Sequence, residues 1–239
     1  MNISPAVRRA HLETQRRLLD AEHDAQERLA AAAQGVLDAN HGATPAALRK
    51  ASDEARDRVA AEVERLRGEA RAAGRSTLAH EFRVGADSAG RRGLARVTLA
   101  STGPTLADQI AGRRAGNDYA AAWLTRATVD GPVVATKTTR YRLHALGGAE
   151  IGQAFGAERE AAMRQFARAI GPELHGTIVL AKVWDARLDA CPKCRDLDGQ
   201  IRPMGISFRG GVVPGGVHRR CRCIGGALVL PAVTMSEAA

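Results

Sequence analysis

The stretch DACPKCRDLDGQ, residues Asp189–Gln200, decides how the C-terminal part of this 239-residue chain folds. It holds two of the four cysteines, and the other two follow in HRRCRC, residues His218–Cys223. All the thiols therefore lie in two short segments, which predicts that the segments meet around one centre. The pair Asp198-Gly199 is typical of a hairpin corner, so the chain is expected to turn back after the first cysteines.

A zinc ion is the centre that this pattern favours. Structural zinc sites use four cysteines, or three cysteines and one histidine. The N-terminal residues lack the apolar run of a secretory signal, so a reducing compartment is expected, where clustered thiols bind metal more often than they form disulfides. The five candidate ligands are Cys191, Cys194, His218, Cys221 and Cys223.

The expected first shell of this structural zinc ion is the four cysteines, with His218 replacing one of them or lying behind them. If Cys221 and Cys223 lie on an extended strand, their side chains point to the same face and Arg222 points away. The alternative is a C-x2-C turn with free or disulfide-paired cysteines and a solvent-exposed His218.

The chain is expected to have an α+β fold, in which a long helical N-terminal arm precedes a helical region packed on a small, β-rich, zinc-stapled C-terminal module. The β-branched, apolar segment GTIVLAKVWDARLD, residues 176–189, predicts a strand with Trp184 near its end. The expected division is a helical arm at 1–84, a helical linker region at 85–139 and the cysteine-bearing domain at 140–239.

Two long helices are predicted in the arm, the first from Pro5 to about Asn40. The second begins after Thr44 as N-cap, with Pro45 at its first position. Its apolar residues form a heptad-like stripe at Val59, Val63, Leu66, Ala70 and Ala73. This stripe is expected either to dock a second copy or a helical partner, or to form the core of an intramolecular hairpin with the first helix.

Shorter secondary-structure elements are predicted in the middle of the chain. Glycines at Gly85, Gly90 and Gly93 indicate a break. A helix follows STGPT at residues 101–105 and carries Tyr119, Trp123 and Leu124 as apolar anchors. The segment VDGPVVATKTT, residues 129–139, is expected to be a turn leading into a short strand or extended loop. A further helix is predicted from about Arg140 to Ile170, with Gly147-Gly148 as a kink or close-packing point.

Charge points to a polyanionic neighbour or an acidic protein surface, since the formal net charge is +9 and the sequence pI is about 10.2. Eight of the basic residues lie between Arg187 and Cys223, against three acidic residues in that span. The candidate contacts with nucleic acid or a partner protein are Arg195, Arg219, Arg220 and Arg222. The alternative is a solvated basic surface without a partner.

Enzyme signatures are missing from the sequence. It contains no GxxxxGK[ST], HExxH or GxSxG motif, so a protein that is not an enzyme is expected. The aspartates Asp185, Asp189, Asp196 and Asp198 could be imagined as a metal-dependent nuclease cluster, which is the basis of an alternative function. No apolar run reaches the ~20 residues that cross a bilayer, so no membrane association is expected.

The segments VWDARLDACPKCRDLDGQI and HRRCRC resemble the C-terminal signature of the phage Mu F-like (MuF) head morphogenesis family, the minor capsid proteins of tailed phages. The positions that match are Trp184, Asp185, Asp189, Cys191, Cys194, Leu197, Asp198, Gly199, His218, Cys221, Arg222 and Cys223. The resemblance covers about Arg140 to Leu230, with Glu150 at the family's upstream glutamate. It departs from the family at Gly148-Ala149, where arginine and threonine are usual, and before His218, where a proline-rich approach is common.

The resemblance implies a minor capsid protein that acts at the portal vertex in procapsid assembly, DNA packaging or ejection. Its implied partners are the phage portal protein, the internal capsid or scaffold, and packaged DNA. It would lie in the host cytoplasm during assembly and in the head interior of the virion. The alternative function, from a different class, is a zinc-containing protein that binds or cleaves nucleic acid.

Overall fold

The computed structural model describes residues 4–39, 44–90, 105–169, 178–187, 190–204, 206–214, 217, 221 and 223–231. Four long helices come first, and a small three-stranded antiparallel sheet follows near the C-terminus, so the α+β prediction is confirmed. In chain order the elements are α1 Pro5–Ala39, α2 Pro45–Ser88, α3 Leu106–Asp130, α4 Pro132–Ala169, β1 Ile178–Asp185, α5 Pro192–Arg195, β2 Ile201–Pro203 and β3 Ile224–Pro231.

Helix α2 begins where its capping residues predict. The Ala47 amide donates a hydrogen bond to Thr44 Oγ1 at 3.3 Å, which is the bond expected of an N-cap before Pro45. The expected break near the glycines is also present, because α2 ends at Ser88 and Gly90 follows with a φ of +68°. Gly93 lies outside the described residues.

The helix predicted after STGPT is α3, and its start is fixed by a reciprocal capping box. Thr105 Oγ1 accepts a hydrogen bond from the Asp108 amide, and the Asp108 side chain accepts one from the Thr105 amide. Of the predicted apolar anchors, Tyr119 and Trp123 are buried and Leu124 is half-buried.

The prediction of a strand or extended loop in residues 129–139 is wrong, because α4 begins at Pro132 directly after α3 ends. Gly131 separates the two helices with a φ of +84°, and proline is well suited to the first helical position. The β-branched residues stay helical because Thr136 binds the Pro132 carbonyl and also accepts a hydrogen bond from Trp123 Nε1 at 3.1 Å. Tertiary packing thus overrides the local preference for extended backbone.

The described residues form two compact units, and these do not follow the predicted linear division. The sheet unit takes its residues from Met1–Leu19, Arg71–Ser101 and Gly152–Ala239. The helical unit takes its residues from Asp20–Ala70 and Thr102–Ile151. The difference arises because α1, α2 and α4 are long enough for each to supply residues to both units, so no single cut in the sequence separates them.

The heptad-like stripe of α2 is core. In the helical unit Val59, Val63, Leu66 and Ala70 are each at most 3% exposed, so they are covered by their own chain. The docking interpretation is therefore wrong for these four residues, and the interpretation as an intramolecular core is correct. Within the same unit α1 and α2 are also joined by ion pairs, including Arg28 to Glu62 at 2.9 Å.

Very close helix packing completes the helical unit. A β-carbon on Gly112 would lie 2.5 Å from the Ala60 carbonyl oxygen, and one on Gly116 would lie 2.5 Å from the Arg56 carbonyl oxygen. Only glycine allows α3 to approach the backbone of α2 this closely. On α4, the predicted close-packing point is present, since a β-carbon on Gly147 would meet the Gln26 amide at 3.2 Å.

The sheet has the order β2-β1-β3, with both pairs antiparallel. β1 pairs with β3 along its whole length, from Ile178 opposite Pro231 to Asp185 opposite Ile224. One apolar cluster of the sheet unit packs Ile178 and other strand residues with helical side chains, among which Phe82 and Phe166 stack with ring centroids 3.6 Å apart. The sheet is thus covered by helix, and its Asp185 end leads into the cysteine segments.

None of the helices within the described ranges combines the length and apolar character that spanning a membrane requires.

Candidate metal centre

The first cysteine segment is shaped by the short helix α5. Cys191 occupies its N-cap with extended backbone, Pro192 takes the first helical position, and the Arg195 amide bonds the Cys191 carbonyl at 3.0 Å. This turn directs Cys194 inward, where the side chain is fully buried. The C-P-K-C sequence therefore presents one thiol to the interior and keeps the other at the edge.

The second cysteine segment precedes β3. Cys221 and Cys223 are each 1% exposed and join the same buried cluster as Cys194. The expectation that two cysteines spaced by one residue would share a face is consistent with this placement. Arg222 between them lies outside the described residues.

Three thiols meet in this cluster. The sulfur atoms of Cys194, Cys221 and Cys223 all lie within 4.8 Å of one another, and Cys194 Sγ is 3.7 Å from Cys221 Sγ. Two thiolates bound to one zinc ion at ~2.3 Å in a tetrahedron would be about 3.8 Å apart. The observed sulfur–sulfur spacing therefore fits a metal ion, and it exceeds the ~2.05 Å of a disulfide bond. The three buried cysteines could hold a metal ion.

Hydrogen bonds among the three thiols shift their pKa values in different directions. A hydrogen bond from Cys223 lowers the pKa of Cys221 to about 5. Burial raises the pKa of Cys194 to about 12, and the pKa of Cys223 is raised chiefly because it donates its proton to Cys221. One thiolate at Cys221 is thus stabilised by its neighbours, which is a start toward the deprotonated donor set that a metal needs.

The described residues do not place a fourth ligand beside the three thiols. Cys191 is half-buried and packs against the cluster, close enough to affect the pKa of Cys194 by a side-chain hydrogen bond. It is not a member of the close three-sulfur group. His218, the fifth predicted ligand, lies outside the described residues. The structure therefore brings together three of the predicted ligands and leaves Cys191 at the edge.

Large aromatic side chains shield the thiols from water. Trp184 is fully buried, Phe208 is 1% exposed, and their rings meet edge to face with centroids 5.0 Å apart. Leu197 belongs to the same cluster. Lys182 Nζ lies 5.0 Å from the centre of the Phe208 ring, so the ring also contacts a buried cation. The surroundings are dry, which suits a structural site more than one that must admit a substrate.

The aspartates near the cysteines support the turn. Asp198 Oδ1 accepts a hydrogen bond from the Ala186 amide at 2.8 Å. Gly199, with a φ of +72°, donates its amide to the Trp184 carbonyl, so Asp198-Gly199 lies at the turn that leads into β2. Asp185 accepts a hydrogen bond from Gln15, and burial raises the pKa of its carboxyl group.

A carboxylate metal cluster is not found among the described residues. The three cysteines form the one close group of three or more histidine, cysteine or acidic side chains there. Asp196 is exposed, and Asp189 lies outside the described ranges. The aspartates of the nuclease alternative are therefore not gathered around a common point where the structure describes them.

The basic contact residues are only partly described. Arg195 is exposed on α5, and its predicted role as a contact stays a prediction. The other three predicted contacts, Arg219, Arg220 and Arg222, lie outside the described residues.

The sheet unit contains a buried ion pair that the sequence does not predict. Arg159 and Glu81 have fully buried side chains, with Arg159 Nη2 2.5 Å from Glu81 Oε2. Arg159 also donates to the Gly225 carbonyl of β3, and Glu81 accepts the Ala227 amide at 2.9 Å. These bonds join α2 and α4 to the strand that follows the second cysteine segment. No sequence spacing signals them, because the partners come from three distant elements.

Glu150, the glutamate of the upstream motif, forms buried ion pairs in the helical unit. It is 5% exposed and receives Arg67 at 2.5 Å and Arg114 at 3.0 Å. Arg67 also bonds Asp108 at 2.9 Å, so the charges are mutually compensated. This arrangement holds helices together and leaves no free carboxylate at that position.

No family model, curated protein or solved structure matches this chain.

Proposed function

We propose that this chain is a MuF-like minor head protein that acts at the portal vertex during procapsid assembly, DNA packaging or ejection, without catalysis. The observation that supports it best is the way the signature residues gather in one small module. Residues that are far apart in sequence, such as Trp184, Leu197 and Cys223, pack in the same buried cluster. Asp198 and Gly199 form the turn beside it.

This arrangement gives each residue type in the signature a structural role. Tryptophan fills the cluster, glycine adopts positive φ, aspartate caps a backbone amide, and the cysteines converge. Because these residues pack and bond within the module, a structural role fits better than a role in chemistry.

Zinc is the metal we propose for the cysteine cluster. The donors would be Cys194, Cys221 and Cys223, with Cys191 or His218 as the fourth. A complete set of four protein donors leaves no position for a reactive water molecule, so the ion would be structural. Its binding free energy, on the order of 10 kcal/mol in comparable sites, would offset the entropy of ordering a glycine-rich loop.

Metal analysis tests the zinc proposal. Protein purified under reducing conditions should contain about one zinc ion per chain, as a single four-ligand site allows. Cys194→Ser should release it. Lys193→Ser is the matched control, because Lys193 is the exposed neighbour of Cys194 and the serine is introduced one residue away. Metal-free wild-type protein with a folded C-terminal module would contradict the proposal.

The assembly role is tested with procapsids made with and without the gene that encodes the chain. The protein should be incorporated together with the portal, and its deletion should reduce genome filling or infectivity. Cys194→Ser should lose incorporation while Lys193→Ser keeps it. Normal protein content, genome filling and infectivity in the deletion would exclude the role, whatever the metal content of the purified chain.

A further inference from the structure

A basic groove lies between α3 and α4 in the helical unit. It has a volume of about 800 Å³ and is open to solvent. Three cations line it, Arg126, Lys137 and Arg142, against one carboxylate, Asp118. The remaining lining residues are small or hydroxylated side chains and one aromatic residue: Ala121, Ala122, Thr125, Thr138, Thr139 and Tyr141.

The cations of this groove are largely available. Lys137 has no carboxylate partner within the described part of the chain, and Arg142 lies 5.9 Å from the centre of the Tyr141 ring without a carboxylate of its own there. Arg126 contacts Asp130 at 3.2 Å, but its side chain is 61% exposed. Exposed ion pairs of this kind exchange readily, so Arg126 can turn to another anion.

Tyr141 is the unusual member of the lining. It is 64% exposed, although large aromatic side chains are usually buried at least in part. Its ring lies beside the Arg142 guanidinium on a surface that otherwise carries alanines and threonines. An exposed aromatic ring flanked by cations is the combination by which proteins stack an unpaired base while holding the phosphates next to it.

We propose that this groove binds a nucleic-acid strand, with its phosphates on Arg126, Lys137 and Arg142 and an unpaired base stacked on Tyr141. The small side chains of Ala121 and Ala122 in the lining leave room for a sugar-phosphate chain. An acidic partner helix is less favoured, because the described lining offers it no large aliphatic side chain. The proposal concerns a surface outside the cysteine module and does not depend on the proposed head-assembly function.

Fluorescence anisotropy of labelled ligands tests the groove. The probes are an oligothymidylate of about 20 nucleotides, longer than one typical site, a duplex of the same length and an oligoglutamate peptide. At a salt concentration of about 50 mM, wild-type protein should bind the single strand most tightly, and the affinity should fall steeply as salt is added. Lys137→Glu should weaken binding by about tenfold or more.

Two further variants distinguish binding in the groove from attraction to the overall positive charge of the chain. Tyr141→Ala should weaken single-strand binding by roughly fivefold or more while leaving duplex binding unchanged. Arg113→Glu is the matched charge control, because Arg113 is also exposed on α3 but lies about 20 Å along the helix from Arg126. It should weaken binding by much less than Lys137→Glu. Thermal melts of each variant establish that it is folded.

Three results would overturn the proposal. Equal losses in Lys137→Glu and Arg113→Glu would assign binding to the net charge of the chain. Tighter binding of the oligoglutamate, unaffected by Tyr141→Ala, would make the groove a docking site for an acidic protein. Absence of single-strand binding by folded wild-type protein would leave the groove without a nucleic-acid ligand.

Discussion

The sheet unit and the helical unit both contain close-packed glycines and buried ion pairs, but among the described residues only the sheet unit adds a cluster of thiols. In the helical unit, α3 and α2 approach so closely that Gly112 and Gly116 leave no room for a β-carbon. In the sheet unit, strand β3 is fixed by directional bonds from Arg159 and Glu81 and is preceded by a cluster of buried thiols. Both units contain buried ion pairs, and the Arg159–Glu81 pair of the sheet unit also bonds the backbone of β3.

This difference separates two kinds of sensitivity. A unit packed through small residues is damaged when an atom is added, because a close-packed backbone has nowhere to move. A unit closed by a few polar and sulfur groups is damaged when one of those groups is removed, because its partner is left buried and unsatisfied. Adding an atom and removing a polar group are therefore two separate tests of the packing in each unit.

The largest effect is expected from removing a thiol. Cys194→Ser, or treatment of wild-type protein with a chelator, should make the region after β1 sensitive to protease, since loss of the proposed zinc ion would remove up to about 10 kcal/mol of folding free energy. The helical unit should keep its structure. Limited proteolysis with mass spectrometry locates the cuts, and circular dichroism follows the helices. Cleavage spread evenly over α1 to α4 would show that the two units are not independently stabilised.

A buried arginine should give the next largest effect. Arg159→Met is expected to lower the free energy of unfolding by about 3–5 kcal/mol, because Glu81 is left fully buried without its cation. Arg67→Met in the helical unit is the matched comparison. It should cost less, because Glu150 keeps Arg114 and Asp108 keeps its hydrogen bonds from the Thr105 amide and hydroxyl. Urea denaturation measures both. Equal losses in the free energy of unfolding would show that the two buried arginines contribute equally to stability.

Adding one methyl group tests the helical unit. Gly116→Ala should lower the free energy of unfolding by about 1–3 kcal/mol, because the new β-carbon would lie 2.5 Å from the Arg56 carbonyl oxygen. Gly68→Ala is the control, as a β-carbon there would meet no neighbouring atom within 4 Å, and it should raise stability by up to ~1 kcal/mol through helix propensity. If Gly116→Ala were more stable than the wild type, α2 and α3 could move apart without loss of stability, contrary to this prediction.

The smallest expected effect concerns pH. Burial raises the pKa of Asp185, so the unfolded chain ionises first as the pH rises. Asp185 therefore contributes stability below its ordinary pKa, and this contribution is lost as the pH rises through the raised folded value. Asp185→Asn should be slightly more stable than wild type near pH 7 and lose this advantage in acid. Thermal melts across that range measure the difference, and a constant difference would contradict the assignment.

Sequence reasoning succeeds for the elements whose signals are local. Thr44 and Pro45 predict the start of α2, because helix capping acts over a few residues. The cysteines predict a cluster through their residue type and pairing, which are typical of metal ligands. The prediction for residues 129–139 is wrong because β-branched side chains favour extended backbone, whereas Trp123 and Thr136 hold them in α4. The pairing of Arg159 with Glu81 has no local signal, since it depends on how separate helices pack.

The hydrogen bond between His11 and the Ala227 carbonyl, at 3.0 Å, has a consequence for biosynthesis. Its partners are 216 residues apart, and β3 is the last of the described elements of the sheet unit to leave the ribosome. The residues of the helical unit, all made by Ile151, can pack while translation continues. The start of α1 must wait for the strand it binds, so these residues take their final place only after β3 has been synthesised.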